Sequence, residues 1–310
     1  MTKQQIEQKA IKVSIGGTLF MALLGIIFAY LTDSEAILID GLFSLVSFTM
    51  GLFTLRVAKL LNLPDDEHFQ FGYASFEPLL NLSKGLLIAF ISLFALYSAT
   101  SAIIGGGRPI ETGLAIYYAL IAATGCFGTA LYLRKMYKQS DSSMVQVDYN
   151  NWIIDGLISS GVAVAFIFVY LFQNQLAEYL AFVDPVIVIL LILSTLHIPW
   201  QIIRENSREL LFAAPVKKVS HQIKEQVRKH LHFITADQLY LRMAKVGRAY
   251  YLNIHIITQQ QTDLENSSRQ DQIREDLYRS LHTTYPDLVV DLIFTREKKW
   301  AHEFGQHVKA

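Results

Sequence analysis

Cysteine is almost absent from this chain, since Cys126 is the only one among 310 residues. One thiol can form neither a disulfide within the chain nor a zinc site built from several thiolates. Charged residues are also scarce, at 17% of the sequence against about 25% in soluble domains. The formal net charge is zero, so nothing in the composition favours a nucleic-acid partner. These shortages point to a protein that lies largely in a lipid bilayer.

The few charges are distributed unevenly along the chain. From Glu205 to Ala310 the sequence carries 29 of its 54 formal charges and seven of its nine histidines. The preceding two thirds are therefore poor in charge and rich in apolar residues. This contrast predicts a transmembrane domain over residues 1–210 and a soluble domain over residues 211–310.

Six apolar runs are long enough to cross a bilayer, which requires about 20 residues per helix. They are Val13–Thr32, Ala36–Leu55, Leu79–Ile104, Thr112–Leu133, residues 148–173 and residues 182–203. An even number of spans places both termini on the same side of the membrane. Lys and Arg are concentrated in the N-terminal tail, which we interpret as retained, and next to the even-numbered loops. This placement predicts a multi-pass protein of the cytoplasmic (inner) membrane with both termini in the cytoplasm.

The last third of the chain has the periodicities of a soluble α+β domain. Amphipathic spacing predicts two helices, and apolar alternation predicts three strands. In chain order the predicted elements are helix Val216–His232, strands Gln238–Met243 and Tyr250–Thr258, helix Leu264–Thr283 and strand Leu288–Phe294. The succession αββαβ predicts a ferredoxin-like cytoplasmic domain after the six-helix membrane domain.

Two apolar runs each contain an acid with a polar residue four positions away. Asp40 precedes Ser44 in the second run, and Asn151 precedes Asp155 at the start of the fifth. Residues four apart share one face of a helix. A carboxylate at membrane depth costs at least ~2.5–3.5 kcal/mol, so such residues generally have a function. The two pairs predict a cation site between two helices, with hydrogen-bonded packing of the acids as the alternative.

Several local strings in this sequence resemble the cation diffusion facilitator family. Their order and spacing follow the family pattern over nearly the whole chain. The strings are Asp65-Asp66-Glu67-His68, Phe71-Gly72-Tyr73, Phe76-Glu77-Pro78-Leu79, Asp184-Pro185 and Arg204-Glu205-Asn206-Ser207. The resemblance implies export of a divalent metal ion by alternating access, usually in exchange for protons, by a homodimer. The substrate implied is Mn²⁺, Fe²⁺, Zn²⁺, Co²⁺ or Cd²⁺.

The resemblance also assigns the four positions of the transport site, two of which depart from the family pattern. The family carries Asp or His and then Asp in the second span, where this chain has Asp40 and Ser44. In the fifth span it carries His or Asp and then Asp, where this chain has Asn151 and Asp155. Oxygen ligands suit Mn²⁺, Fe²⁺ or Mg²⁺ better than Zn²⁺. We therefore expect a preference for a hard cation, with Asp148 or water completing the ligands. Hydrogen bonding between helices is the alternative use of Ser44 and Asn151.

Two further positions could bind a regulatory ion. His255 lies where relatives carry a metal-binding histidine, although a packed or surface residue is the ordinary interpretation. His68 with Asp65 or Asp66 could form a peripheral site in the loop after the second span, or the loop could simply be solvated.

Other functions also remain open from the sequence. A transporter of Na⁺ or another ion, and a membrane scaffold or metal sensor that kept the fold, are the rival interpretations. The sequence contains no Ser-His-Asp grouping, Walker loop or HExxH motif, so we do not expect an enzyme.

Overall fold

The computed structural model describes residues 3–61, 63, 65–108, 112–140, 143–172, 179–231, 238–257, 266–285 and 287–301. The chain divides into two compact units. The first, which we call the bundle, comprises Met1–Ala58 and Leu82–Ile203. The second, which we call the soluble unit, comprises Lys59–Asn81 and Arg204–Ala310.

Seven helices carry the apolar runs. They are α1 Lys3–Thr32, α2 Glu35–Leu60, α3 Phe76–Ile104, α4 Thr112–Ser140, α5 Ser143–Leu171, α6 Leu180–Thr195 and α7 His197–Leu210. Six segments among the described residues are long and apolar enough to span a membrane, and α6 with α7 forms the last of them. The six predicted spans are therefore confirmed, and the protein is a multi-pass membrane protein.

The sixth span is interrupted between Thr195 and His197. Pro199 has no backbone N–H, so it cannot donate the helical hydrogen bond to the carbonyl of residue 195. The backbone N–H of Leu196 still donates to the Ile192 carbonyl at 2.8 Å, which closes α6. The interruption lies beside the cavity described below.

The first two helices of the bundle touch through glycine. A Cβ added at Gly25 would lie 2.5 Å from the Cα of Gly41, so neither position can carry a side chain without moving a helix. Elsewhere, α4 packs most extensively on α5 and on α1. The close crossing of α1 and α2 fixes the position of Asp40, the residue before Gly41.

The soluble unit contains the α+β elements. They are α8 Lys217–His230, β1 Gln238–Val246, β2 Ala249–Ile257, α9 Ser267–His282, β3 Leu288–Thr295 and a 3₁₀ turn at Lys298–Trp300. The three strands form a small mixed sheet in the order β1-β2-β3, with β1 antiparallel and β3 parallel to β2. Alternate residues of β2, Leu252, Ile254 and Ile256, pack on apolar residues of α8 and α9.

The order of these elements is the one that the sequence predicts, and their bounds differ for local reasons. β1 continues to Val246, three residues past the predicted end, because it pairs with β2 up to the turn at Gly247. Helix α9 begins at Ser267, because the side chain of Asn266 accepts the N–H of Ser268 as a cap. The predicted ends at His232, Thr258 and Leu264 lie outside the described residues.

The segment between α2 and α3 belongs to the soluble unit although it lies between two spans in sequence. The Tyr251 hydroxyl donates to the carbonyl of Phe71 at 3.3 Å, and Arg248 pairs with Glu77 at 3.4 Å. Gly247 has φ +57°, and a Cβ there would lie 2.8 Å from the Ala74 carbonyl. The β1–β2 turn therefore packs closely against this segment.

Candidate functional site

The bundle encloses a cavity of about 210 Å³. All six spans contribute to its lining. Its polar and sulfur-containing lining residues are Thr18, Met21, Asp40, Ser44, Ser47, Cys126, Asp155, Ser159 and Thr195. Among these, Asp40 and Asp155 are the two that can carry a negative charge at neutral pH in the ordinary case.

Helix α2 presents one polar face to the cavity. Asp40, Ser44 and Ser47 follow at the spacing of successive helical turns and all line it. Asp40 is partly buried. The structure thus brings the predicted pair Asp40 and Ser44 to the same space, and the same spacing adds Ser47.

Helix α5 supplies the second acid. Asp155 is exposed and lines the cavity together with Ser159, one turn later. Asn151, one turn earlier, is exposed but is not among the lining residues. Asp148 is partly buried and also lies outside the lining, and the ammonium of Lys84 on α3 acts electrostatically on both Asp148 and Asp155. Of the predicted set, Asp40, Ser44 and Asp155 therefore line the cavity, and Asn151 and Asp148 do not.

A buried tryptophan holds α5 against α1 beside this acid. The Trp152 indole N–H donates to the Ser14 hydroxyl at 3.0 Å. The ring also packs on Gly17, where a Cβ would lie 2.8 Å from it. Since Trp152 lies three residues before Asp155, this contact fixes the height and rotation of the acid.

The hydroxyl of Tyr118 on α4 donates a hydrogen bond of 2.5 Å to Oδ2 of Asp40. Nothing in the local sequence of α4 indicates this contact, because Tyr118 lies 78 residues from Asp40 within an apolar run. Sequence reasoning missed Tyr118 for that reason. It also missed Ser47 and Ser159, which the helical spacing from Asp40 and Asp155 could have found.

The bundle is closed around the first turn of α2. A space of only about 10 Å³ lies between Asp40, Tyr118 and the apolar side chains around them, including Ile37 and Val162. One turn further, the fully buried Asp184 accepts the Ser34 hydroxyl at 2.5 Å and the backbone N–H of Glu35 at 2.9 Å. The large cavity therefore extends from Asp40 towards the C-terminal end of α2 and not towards its start.

An ion pair adds to this closed end. Arg108 bonds to the buried Glu35 at 2.9 Å, and the Arg108 backbone N–H donates to the Ala181 carbonyl at 2.5 Å. The pair ties the loop after α3 to the starts of α2 and α6.

The cavity can offer a cation mainly oxygen ligands. Among the residues that the structure describes, no three His, Cys, Asp or Glu side chains are grouped closely enough to hold a metal ion. An ion bound here would be held by two carboxylates, with hydroxyls such as that of Ser44 and water completing its ligands. Such a set suits Mn²⁺ or Mg²⁺ and lacks the imidazoles and thiolates typical of tight zinc sites. The one sulfhydryl in the lining is that of Cys126.

The predicted peripheral residues Asp65 and His68 are both exposed. Their neighbour Asp66 organises the loop, since its carboxylate accepts the backbone N–H groups of His68 and Phe69 and the hydroxyl of Tyr73. These bonds, that of Tyr73 first, lower the pKa of Asp66 below its usual value. These hydrogen bonds hold the conformation of the loop, and an ion site at Asp65 and His68 stays a prediction.

His255 is buried in the sheet of the soluble unit. Across the strands it faces Tyr240 and Ile293, and its Nδ1 has no hydrogen-bond partner among the described residues. Removal from solvent, and then the nearby Arg242 guanidinium, lower the pKa of this imidazole. This arrangement supports the interpretation of His255 as a packed residue.

Comparison with known proteins places these features in a family. The cation efflux transmembrane domain family matches residues 11–211. Protein p34 of Rickettsia rickettsii is 24% identical over 213 residues, which cover 67% of this chain and 64% of p34. Manganese efflux system protein MneS of Bacillus subtilis is 23% identical over 208 residues, which cover 67% of this chain and 69% of MneS. The uncharacterized transporter YdbO of the same organism is 23% identical over 203 residues, which cover 66% of this chain and 68% of YdbO.

The family match spans more than half of the chain and includes every segment that lines the cavity. The chain therefore belongs to the cation efflux family, the cation diffusion facilitators, whose members are membrane transporters and not enzymes.

Proposed function

We propose that this protein exports a divalent metal cation from the cytoplasm by alternating access. The cation is the substrate, and Asp40 and Asp155 are its anionic ligands. The observation that carries the proposal is that both carboxylates line one cavity between the helices of the bundle. Among the described residues, neither acid has a basic side chain within 4 Å. Lys84 acts on Asp155 only from beyond this distance, so both carboxylates can still attract a mobile cation.

The proposed metal preference is for Mn²⁺ or Fe²⁺ over Zn²⁺. Ser44 supplies a hydroxyl beside Asp40, and Asn151, one turn before Asp155, would add its amide oxygen when the helices move. Hard cations prefer such oxygen ligands. The name of MneS, a manganese efflux system protein, supports the same preference.

We further propose exchange of the metal for protons. Carboxylates bind a metal only when they are deprotonated, so protons arriving from the far side of the membrane would release the ion. We also propose that the protein lies in the inner membrane with both termini in the cytoplasm. The basic residues of the N-terminal tail and of the C-terminal end of α4 support this orientation. A homodimer and a ferredoxin-like class for the C-terminal domain stay predictions, the second supported by the order of its elements.

The test is metal flux into proteoliposomes that contain the full-length protein. Asp40→Ala and Asp155→Ala should each abolish Mn²⁺ flux, whereas Asp276→Ala, at an exposed acid of α9, should leave it unchanged. Flux that persists in both cavity variants would contradict the proposed site. A scaffold would show no Mn²⁺ flux in the unmodified chain, and a sodium transporter would show Na⁺ flux instead.

Two further measurements test the finer parts of the proposal. Competition between Mn²⁺ and Zn²⁺ for binding tests the metal preference. Most protein sites bind Zn²⁺ more tightly than Mn²⁺. Zinc affinity that exceeds manganese affinity by more than this ordinary difference would contradict the preference. Flux that is indifferent to a pH gradient across the vesicle would contradict proton exchange.

A further inference from the structure

The carboxylate of Asp40 is not free to rotate, because Tyr118 holds it. The Tyr118 hydroxyl donates to Oδ2 at 2.5 Å, which is short for a hydrogen bond and typical of an O–H donor on a carboxylate. The hydrogen bond engages one oxygen of the carboxylate. Oδ1 is then the oxygen that remains to bind an ion in the cavity.

Tyr118 is itself held in place. Its side chain is 2% exposed, and its ring packs on Phe28 of α1 with 5.7 Å between the ring centroids. A Cβ added at Gly25 would lie 3.3 Å from the Tyr118 hydroxyl oxygen, so the hydroxyl sits at the glycine crossing of α1 and α2. Three helices thus converge on the contact between Tyr118 and Asp40.

The neighbouring residue provides a natural comparison. Tyr117 is 64% exposed, so two successive tyrosines of α4 point to very different environments. A buried tyrosine hydroxyl generally needs a hydrogen-bond partner. Within this apolar part of the bundle, Tyr118 uses the Asp40 carboxylate as that partner.

We infer that Tyr118 is a positioning residue for metal binding, which fixes Asp40 at the closed end of the cavity so that Oδ1 faces the arriving cation. The inference rests on the proposed function, because it assigns Tyr118 a role through a proposed ligand. Tyr118 touches the carboxylate and not the ion. Its contribution is to orient the ligand before the metal arrives.

A hydrogen-bond partner holds a metal ligand in its binding orientation before the metal arrives. Metal binding then costs less side-chain conformational entropy. Loss of such a partner typically weakens metal binding about 10- to 100-fold. The rival interpretation is that the hydroxyl only fills a space between helices. In that case its removal would change stability and maximal flux but not the metal concentration needed for half-maximal flux.

The experiment compares Tyr118→Phe with the matched control Tyr117→Phe in the purified full-length protein. For Tyr118→Phe we expect Mn²⁺ binding, measured by equilibrium dialysis, to weaken about 10-fold. The Mn²⁺ concentration for half-maximal flux in proteoliposomes should rise by the same factor, with maximal flux retained. Tyr117→Phe should change neither quantity. Equal binding by both variants and the unmodified protein would overturn the inference.

The two proposals fail in different ways. If Asp40→Ala and Asp155→Ala bind Mn²⁺ as the unmodified protein does, the proposed function itself fails. If both lose binding while Tyr118→Phe keeps it, only the inference about Tyr118 fails.

A second variant covers the possibility that Tyr118→Phe does not fold. Without its donor, Asp40 would be a partly buried charge lacking a partner, which destabilises a protein. Adding Asp40→Asn should then restore folding, because the charge is gone. A double variant that also fails to fold would overturn the inference, since the hydroxyl would not be acting through Asp40.

Discussion

The acidic residues of the soluble unit and the two cavity acids of the bundle have different kinds of partner. In the soluble unit, the Lys245 ammonium donates a hydrogen bond to one carboxylate oxygen of Glu209 at 2.5 Å. The backbone N–H of Gly247 donates to the other oxygen at 3.0 Å. In the bundle, Asp40 is held by an uncharged tyrosine, and Asp155 opens to a cavity. The bundle also satisfies acids internally, since Arg108 pairs with Glu35, and the Ser34 hydroxyl and two backbone N–H groups bond to Asp184. Among the described residues, neither cavity acid has a basic side chain within 4 Å.

This difference separates charges that stabilise the fold from charges that are available to a ligand. A pair such as Glu209 and Lys245 is complete in the folded chain. In the proposed function, a cavity acid is completed by the cation that it binds. Neutralising a cavity acid should therefore remove the response to a metal ion, whereas neutralising Glu209 should lower the stability of the fold.

The largest expected effect is stabilisation of the protein by Mn²⁺, the proposed substrate. Mn²⁺ at 100 times its dissociation constant should stabilise the unmodified protein by about 2.7 kcal/mol, because it binds the folded state. Asp40→Asn and Asp155→Asn should lose this stabilisation, whereas Glu209→Gln should retain it. Thermal unfolding in detergent with and without Mn²⁺ measures the difference. An equal Mn²⁺ response in Asp40→Asn and in the unmodified protein would contradict the expected difference between the cavity acids and Glu209.

A smaller effect is expected from the ion pair of the soluble unit. Glu209→Gln should destabilise the β1–β2 region by about 1 kcal/mol, since the pair is only partly exposed and the carboxylate also holds the turn. The control is Glu275→Gln, which removes an exposed pair with Arg279 and should destabilise the protein by at most about 0.3–0.5 kcal/mol. Amide hydrogen exchange of β1 and β2 in the full chain reports the change. Equal effects in both variants would contradict the prediction.

The smallest effect concerns pH and the soluble unit. The pKa of His255 is lowered in the folded state, so below about pH 6.5 the unfolded chain binds more protons than the folded one. Stability should therefore fall as the pH falls through this range and be retained above it. His255→Gln should weaken this dependence, while His221→Gln, at an exposed position of α8, should leave it intact. Hydrogen exchange of β2 at two pH values is the measurement.

The sequence predicted the parts of this molecule that depend on local patterns. Run length identified six spans, and alternation of apolar residues identified the strands, because each signal lies within one segment. The i,i+4 rule found Asp40 with Ser44, which do line one cavity. It could not decide whether Asn151 faces that cavity, because the rotation of α5 depends on Trp152 packing against α1. Tyr118 and the Asp184 cap join residues 78 and 150 positions apart, and no local pattern carries such contacts.

The packing of the α2–α3 segment has a consequence for work on fragments. A polypeptide that starts at residue 211 would lack the stretch that covers Gly247 and accepts the hydroxyl of Tyr251. It would also lack Glu209, the partner of Lys245. Water would then reach the β1–β2 hairpin on a side that is covered in the intact chain. Titrations of ions or ligands on such a truncated domain would therefore include binding to a surface that the whole transporter does not expose.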